Sequence, residues 1–315
     1  MSDFITENED KENKAFNEYY NDVIIPLVEE NNAIKDKYRG HFWTYLWSAI
    51  FLISINALVA FYNNLMHKIP LSASMLFLFS FGAFMLVFIP VRSYYKKYQD
   101  NIFDVFIKFY GNWEHTKDSE VKLVHAPIIP DHDTVIATHS IKGILSGAEV
   151  EIRDTEYFKL KQFKNLKWNK MVSSGVVVYA ELPHKFDSRI LMFWKNGFYR
   201  KNKFLDMKNV TKDIYVPAAN YFNIFADNMS YTKELLVAVF FENLLNLKES
   251  FAARNTYVEM QDNYIRMYFE GSNLCFDSHK FWSKRVDKNK FLQLNKEFEN
   301  IFIFIDTLDV LMRQR

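Results

Sequence analysis

The stretch "IIPDHDTVIATHSIKGILSGAEVEIRDTEYFKLK" (residues 128–161) decides the fold class of this 315-residue chain. After a turn that contains Pro130, apolar and polar residues alternate in "TVIATHSI", "AEVEIRD" and "EYFKLKQF", a pattern typical of half-buried strands. Gly143 and Gly147 in "KGILSG" indicate a turn between the first two strands, because glycine adopts the backbone angles that tight turns require. The stretch therefore predicts an antiparallel hairpin followed by a further strand.

Similar patterns continue on both sides of this stretch. Further strands are predicted in "KLVHAPIIP" (122–130), "SGVVVYAEL" (174–182), "SRILMFW" (188–194) and "YFNIFAD" (221–227), and a hairpin with a "DN" turn over 255–271. Helices are predicted over 230–251, with Ser230 as the N-cap, and over 290–315. This order of elements predicts an α+β domain, a mostly antiparallel sheet with packed helices.

Two long uncharged stretches precede this domain, at residues 42–62 and 69–91. Each exceeds the roughly 20 residues that a helix needs to cross the hydrocarbon core of a bilayer. The short segment between them predicts a two-helix transmembrane hairpin. Aromatic and basic side chains at the ends of the spans are expected to anchor it in the headgroup region, namely Arg39, Trp43, Arg92, Lys96 and Lys97.

Basic residues are distributed unequally around this hairpin. Lys35, Lys37 and Arg39 precede the first span and four more basic residues follow the second, whereas the connecting segment holds Lys68 alone. Because lysine and arginine are enriched on the cytosolic side of membrane proteins, both termini are predicted to be cytosolic.

The predicted organisation has three parts: an acidic tail with an amphipathic helix (1–41), the transmembrane hairpin (42–91) and a cytosolic α+β domain (92–315). In the first part, Pro26 is expected to kink or split the helix. The net charge of +1 indicates no preference for acidic or basic partners. The single cysteine, Cys275, excludes an internal disulfide.

Small and polar residues inside the spans are expected to bring the two helices together: Thr44, Ser48, Asn56, Ser80 and Gly82. Such side chains let membrane helices approach closely and form hydrogen bonds across their interface. The alternative is that they line a conduction path in an oligomer, although neither span contains an ionisable side chain.

Asp131, His132, Asp133 and His139 bring histidine and carboxylate ligands together within nine residues. Histidine and carboxylate groups together are common ligands of divalent transition metals, provided that three or four of them converge. Aspartate directly after proline is also ordinary turn chemistry. The stretch is therefore interpreted mainly as a turn that leads into a strand, with a metal site as the alternative.

Five lysines recur beside aromatic residues in "YFKLKQFKNLKWNK", namely Lys159, Lys161, Lys164, Lys167 and Lys170. Lysines can guard the edge of a sheet against aggregation. They also attract anionic lipid, or bind single-stranded nucleic acid when aromatic rings are interleaved with them. The stretch is thus a candidate surface for a lipid bilayer, another protein or a second copy, and less so for nucleic acid.

The sequence contains no Gly-rich phosphate loop, G-x-S-x-G, H-E-x-x-H or paired-cysteine motif, and no cofactor is predicted. The favoured hypothesis is a membrane-anchored cytosolic module that binds or senses an unknown ligand. One alternative is a membrane-associated metal-dependent hydrolase or nuclease that uses the aspartate and histidine group. Another is an oligomeric membrane effector or channel gated by its cytosolic domain.

The chain resembles the bacterial two-span membrane protein family known as DUF3137. The resemblance rests on residues 128–161 and on "SSGVVVYAELPHKFDSRILMF" (173–193), in which small residues and Gly175 precede an apolar strand, a polar turn and a further strand. It implies an N-terminal helix, two closely spaced spans and a cytosolic α+β domain in the inner membrane of a bacterium. It implies no reaction and no site residues.

Overall fold

The computed structural model describes residues 14–66, 73–97, 102–120, 126–163, 166–197, 207–274, 281–282 and 288–314. The chain divides into two compact units. One comprises Met1–Phe109 with Phe276–Val286, and the other comprises Tyr110–Cys275 with Asp287–Arg315. The first unit is helical, and the second contains a sheet with its own helices.

The first unit begins with one long helix. It is helical from residue 14, passes through a π-helical segment at Tyr20–Ile24 and continues as helix α1 (Ile25–Met66). Pro26 has no N–H, and its ring crowds the carbonyl four residues earlier, which lies inside the π-helical segment. The disturbance expected at Pro26 is therefore a local widening of a continuous helix. The same helix includes the first predicted span.

The second predicted span (69–91) is described from residue 73 as two helices, α2 (Ala73–Leu86) and α3 (Phe88–Lys97). Pro90 explains the break, because it cannot donate to the carbonyl that ends α2. At the break itself, Val87 N donates to Phe84 O, three residues earlier, at 3.1 Å.

One helix in the described part of the chain is long and apolar enough to cross a membrane. It spans Lys14–Tyr62, and its most apolar 18-residue window has a mean hydropathy of 1.8 and is 6% buried. Helices α2 and α3 have 14 and 10 residues, fewer than the roughly 20 that cross a bilayer. The second span is therefore not confirmed as one unbroken helix, because the break at Val87 divides it.

Helices α1 and α2 pack through small apolar side chains. Ala49 of α1 meets Ala83 and Val87, and Leu46 and Ile53 pack around them. Alanine lets two helix backbones approach closely, which increases their dispersion contacts.

The polar and small residues predicted to bring the two spans together differ in their exposure. Thr44 and Ser48 are exposed, and their hydroxyls donate to carbonyls one turn earlier in their own helix, at 3.0 and 2.9 Å. Asn56 and Ser80 are half-buried, and Gly82 is exposed with no atom near the place of a Cβ. The contact between the helices therefore rests on alanine and valine rather than on these hydroxyls.

The predicted interface anchors differ in their surroundings. Arg39 Nε donates to a backbone carbonyl at 2.9 Å. Trp43 is 51% exposed, and Arg92 is exposed as well. The side chains of Lys96 and Lys97 lie outside the described residues.

The second unit is built around a sheet that has nine strands in the described residues. In chain order they are β1 (Glu114–Glu120), β2 (Thr134–Leu145), β3 (Ala148–Phe163), β4 (Leu166–Glu181), β5 (Ile190–Trp194), β6 (Lys208–Asn209), β7 (Phe222–Ala226), β8 (Asn255–Gln261) and β9 (Tyr264–Glu270). Their order across the sheet is β1-β2-β3-β4-β9-β8-β5-β7-β6. Every pairing described is antiparallel.

Among the described residues, three α-helices belong to this unit: α4 (Met229–Leu235), α5 (Ala238–Ser250) and α6 (Lys288–Arg313). Helix α5 packs on α6 through Phe240 and Phe304, whose ring centroids are 5.4 Å apart. Phe251, just after α5, meets Phe269 of β9 at 4.8 Å. A mostly antiparallel sheet with packed helices confirms the predicted α+β class.

The two faces of the sheet are covered differently. On β9, Met267 and Phe269 are fully buried on the face that packs against the helices, and Tyr268 points to the opposite face. Segment 126–133 covers part of this second face. There, Ile128 and Tyr268 belong to one apolar cluster. This second face also holds a pocket.

Several local predictions are confirmed and others were wrong. The β8–β9 hairpin forms over the predicted "DN" turn, with Asp262 at φ 53°. The predicted helix 230–251 is divided into α4 and α5, and its N-cap is Asn228 rather than Ser230, because the Asn228 side chain accepts from Tyr231 N at 3.3 Å.

Two further predictions concern the region around β2. The described part of "KLVHAPIIP" is a turn rather than a strand, because Ile129 N donates to Ala126 O at 3.1 Å. Gly143 lies within β2 rather than in the turn, where Gly147 has φ 84°. The ring of Trp113 occupies the place that a Cβ on Gly143 would take, so a close approach requires this glycine.

Candidate functional site

The two aspartates of the predicted metal group hold the turn before β2. Asp131 Oδ2 forms an ion pair with Lys159 Nζ at 2.8 Å. Asp133 Oδ2 accepts from Leu160 N at 2.8 Å, and Asp133 N donates to Phe158 O at 2.8 Å. Both carboxylates therefore tie the turn to strand β3.

The two histidines of this group point to different places. His132 is buried, its Nδ1 donates to Pro130 O at 2.7 Å, and its ring lies 4.9 Å from that of Tyr157. His139 Nδ1 lies 2.9 Å from Nε2 of His115, whose ring stacks on it. In the part of the chain that the structure describes, no three His, Cys, Asp or Glu residues are placed to hold a metal ion.

Segment 126–133 instead forms one wall of a pocket of about 260 Å³ on the second face of the sheet. Ile129 and His132 contribute this wall. Alternate residues of one strand face the same side of a sheet, so β3 supplies four neighbouring positions to the floor. The full lining is Ile129, His132, Val135, Glu151, Arg153, Thr155, Tyr157, Val177, Tyr179 and Arg266.

A bidentate ion pair stands in this pocket. Arg153 Nε and Nη2 donate to the two carboxylate oxygens of Glu151, both at 2.6 Å. Burial by itself raises the pKa of the Glu151 carboxyl, but Arg153, together with Ser140 and Lys142, outweighs it and lowers that pKa below its ordinary value. Glu151 is therefore ionised at neutral pH, and Arg153 is held in one orientation.

The second guanidinium of the pocket is also held in place. Arg266 Nη1 donates to Glu259 Oε2 at 2.7 Å. The Arg266 guanidinium lies 5.7 Å from the ring centroid of Tyr179 and 5.3 Å from that of Tyr264, which are cation–π distances. Burial raises the pKa of Tyr157 at the pocket floor to about 12, so its hydroxyl is neutral at neutral pH.

Sequence reasoning missed this pocket except for His132. The local signal is present in "EVEIRDTEY", in which Glu151, Arg153, Thr155 and Tyr157 alternate and so share one face of a strand. Alternation alone does not tell which face is covered by helices. The position of Arg266, on the other side of Tyr179 from Glu151, depends on the pairing of β4 with β9, which leaves no local trace.

The predicted lysine surface forms a second feature, which we call the arm. Strands β3 and β4 have 16 residues each, but β2 pairs with β3 only as far as Phe158, and β9 pairs with β4 only from Gly175. Between these positions, the hairpin over 159–170 has no neighbouring strand in the described residues. The arm is therefore a two-stranded ribbon that extends beyond the sheet.

The arm carries positive charge on exposed backbone pairs. Lys161, Lys167 and Lys170 are exposed and have no ion pair among the described residues, whereas Lys159 is paired with Asp131. Lys164 lies outside the described residues. Residues 158–172 contain no aspartate or glutamate, so nothing within the arm neutralises these lysines.

Large apolar side chains are exposed among these lysines. Trp168 is 49% exposed, and it lies opposite Lys161 in the strand pairing. Leu160 and Met171 are 50% and 53% exposed. The arm and the adjoining Met171 thus present these cationic and apolar side chains to solvent close together.

Comparisons with known proteins give one family match and one similar solved structure. Residues 162–310 match the model of the family DUF3137, which is described as a protein of unknown function. The crystal structure of the mycobacterial trehalose monomycolate transport factor A, TtfA, is similar at 11% identity and a TM-score of 0.39, over 65% of this chain and 91% of that one. No curated protein matches the chain.

Proposed function

We propose that this chain is a membrane-anchored interaction module whose arm binds the anionic surface of a lipid bilayer. The observation that carries this proposal is the exposure of Lys161, Lys167, Lys170 and Trp168 on a ribbon without flanking strands. Lysines can protect the free edges of such a ribbon, but this role does not account for the exposed Leu160, Trp168 and Met171.

The chemistry of the arm matches that of a bilayer surface. Lysines near an anionic leaflet contribute about 1 kcal/mol each. Tryptophan favours the headgroup region because its ring is apolar and its N–H is polar. Leu160 and Met171 add aliphatic surface suited to the boundary with the acyl chains.

A nucleic-acid partner is less compatible with these residues. Single strands are bound by stacking bases on several aromatic rings along a basic groove. Among the described side chains of the arm, Trp168 is the one exposed aromatic ring. Leu160 and Met171 offer no stacking surface.

The anchor is part of the same proposal. The uncharged stretch 42–62, at the end of the long helix Lys14–Tyr62, crosses the inner membrane of a bacterium, and the residues after it return as a second, broken span packed on Ala49. The basic residues that flank both outer ends of this pair support cytosolic termini. The sheet unit then lies on the cytosolic side of the membrane, where the anionic leaflet is.

The test uses the full chain with one dye on the arm. Asn169→Cys in a Cys275→Ser background is labelled with an environment-sensitive fluorophore, and the protein is reconstituted into phosphatidylcholine vesicles with or without phosphatidylglycerol. We expect a blue shift in the vesicles that contain phosphatidylglycerol, because the dye leaves water. High salt reverses the shift, because it screens exposed charges.

A matched pair of variants makes this test specific. Replacing Lys161, Lys167 and Lys170 by Gln abolishes the shift, whereas replacing the exposed lysines at 185, 195 and 212 by Gln does not. An equal emission in both lipids, or an equal effect of the two triple variants, contradicts the proposal. A shift caused by a single-stranded oligonucleotide but not by lipid assigns the arm to nucleic acid instead.

A further inference from the structure

We infer that the pocket between segment 126–133 and strands β3, β4 and β9 binds a small organic carboxylate. This site is separate from the arm, and the inference does not depend on lipid binding. It follows from the size of the pocket, the charge of its lining and the donors that its two arginines retain.

The size of the pocket sets the size of its ligand. Its volume of about 260 Å³ lies just below the roughly 300–1,000 Å³ typical of sites for drug-sized molecules. It is far larger than the roughly 30 Å³ that one water molecule occupies in the liquid. The pocket therefore suits a compact organic molecule rather than a single ion.

The charge of the lining favours a monoanion. Arg153 and Arg266 are cationic, and Glu151 is anionic. Glu151 already pairs with Arg153, and Glu259 pairs with Arg266, so a singly charged carboxylate brings less unbalanced charge into the pocket than a dianion does. A phosphate monoester, close to a dianion at neutral pH, leaves an unbalanced negative charge.

The arginines retain donors for such a ligand. A guanidinium has five N–H donors, of which Arg153 uses two on Glu151 and Arg266 uses one on Glu259. The remaining donors have no acceptor among the described residues. Because Glu151 and Glu259 already orient the two groups, a carboxylate gains hydrogen bonds without the entropic cost of ordering them.

The apolar part of the lining suits the body of the ligand. Ile129, Val135 and Val177 line the pocket beside the charged groups. Specific pockets commonly combine an apolar surface with a few polar groups that fix the orientation of the ligand. A short aliphatic or aromatic acid satisfies both requirements.

The test measures the binding of defined probes to the full chain in detergent micelles by isothermal titration calorimetry. The probes are butyrate and benzoate, and the controls are butyramide and benzamide, which have the same shape without the charge. We expect at least one acid to bind saturably and at least tenfold more tightly than its amide. Acids that bind no more tightly than their amides overturn the inference, as does tighter binding of inorganic phosphate.

Variants locate the binding. The double variant Glu151→Gln and Arg153→Gln removes the ion pair as a whole, so no buried charge is left unpaired, and binding weakens at least tenfold. Val177→Phe fills the pocket without changing its charge and abolishes binding. Arg254→Gln, at an exposed arginine outside the pocket, leaves binding unchanged.

Melting curves show that each variant is folded before it is titrated. Should the double variant not fold, the comparison of acid with amide and the Val177→Phe variant still decide the outcome. Binding that survives Val177→Phe, or that Arg254→Gln weakens equally, overturns the assignment to this pocket.

Discussion

Glu297 makes the stability of the sheet unit depend on pH. This residue lies in α6 with 4% exposure, and burial raises the pKa of its carboxyl from 4.5 to about 8, opposed by a hydrogen bond from the Gln293 side chain. At neutral pH the carboxyl is therefore protonated in the folded chain and ionised in the unfolded chain. Glu297→Gln replaces it with a neutral group of the same shape.

The sign and size of the effect follow from this pKa. The folded state binds a proton that the unfolded state releases, so the free energy of unfolding falls as the pH rises from about 4.5 to about 8. At about 1.36 kcal/mol for each pH unit, the loss between about pH 5 and about pH 9 is roughly 4 kcal/mol. That is a large share of the roughly 5–15 kcal/mol that stabilise a typical domain.

The assay is urea unfolding of the full chain in detergent at several pH values. We expect the wild-type chain to lose stability steeply over this range, and Glu297→Gln to lose much less. Glu242→Gln, at an exposed glutamate of α5, serves as the control and retains the wild-type slope. Equal slopes for wild type and Glu297→Gln, or a wild-type chain that is more stable at high pH, refute the reasoning.

Three further outcomes are expected. Replacing Lys161, Lys167 and Lys170 by Gln lowers the docking equilibrium of the arm by about 3 kcal/mol, or roughly 150-fold, in vesicles with phosphatidylglycerol, measured from the dye emission. Gly175→Ala costs about 1–3 kcal/mol of unfolding free energy, because its Cβ meets the backbone oxygen of Phe269, whereas an alanine at the open Gly40 has no such contact. Asp133→Ala costs about 1 kcal/mol because Leu160 N loses its acceptor, and Asp131→Ala, which breaks a half-exposed ion pair with Lys159, costs less; urea unfolding compares the two.

Local patterns predicted the parts of the fold that depend on neighbouring residues. Alternation predicted β2, β4 and the β8–β9 hairpin, because a strand with one buried face has a period of two. It also predicted two strands, "AEVEIRD" and "EYFKLKQF", where the structure has the single strand β3. The "DN" turn was likewise local, since aspartate tolerates the left-handed backbone that Asp262 adopts. The resemblance to DUF3137 is consistent with the family match over 162–310.

Other features depend on contacts between distant parts of the chain. The insertion of β5 between β8 and β7 has no signal in the sequence of β5. The break between α4 and α5 contains neither proline nor glycine, so tertiary packing rather than propensity determines it. The break at Val87 could have been predicted from the sequence, because Pro90 follows it at the distance at which proline interrupts a helix.

The candidate sites show the same division. The exposed lysines of the arm follow from composition, but their projection beyond the sheet depends on where β2 and β9 end. The pocket could not be predicted from the sequence, because it forms only when segment 126–133 folds over β3. This arrangement places the His132 ring against Tyr157, whereas Asp131 pairs with Lys159. His132 and Asp131 thus contact different residues of the same strand, β3.

The most direct test of the central proposal is the depth of the arm in the bilayer. A fluorophore at Asn169→Cys, in the Cys275→Ser background, is exposed to lipids that carry a quencher at the headgroup or along the acyl chain. The account predicts quenching at the headgroup level in vesicles with phosphatidylglycerol, and its loss when Lys161, Lys167 and Lys170 are replaced by Gln. A fluorophore that remains in water in every lipid mixture contradicts it.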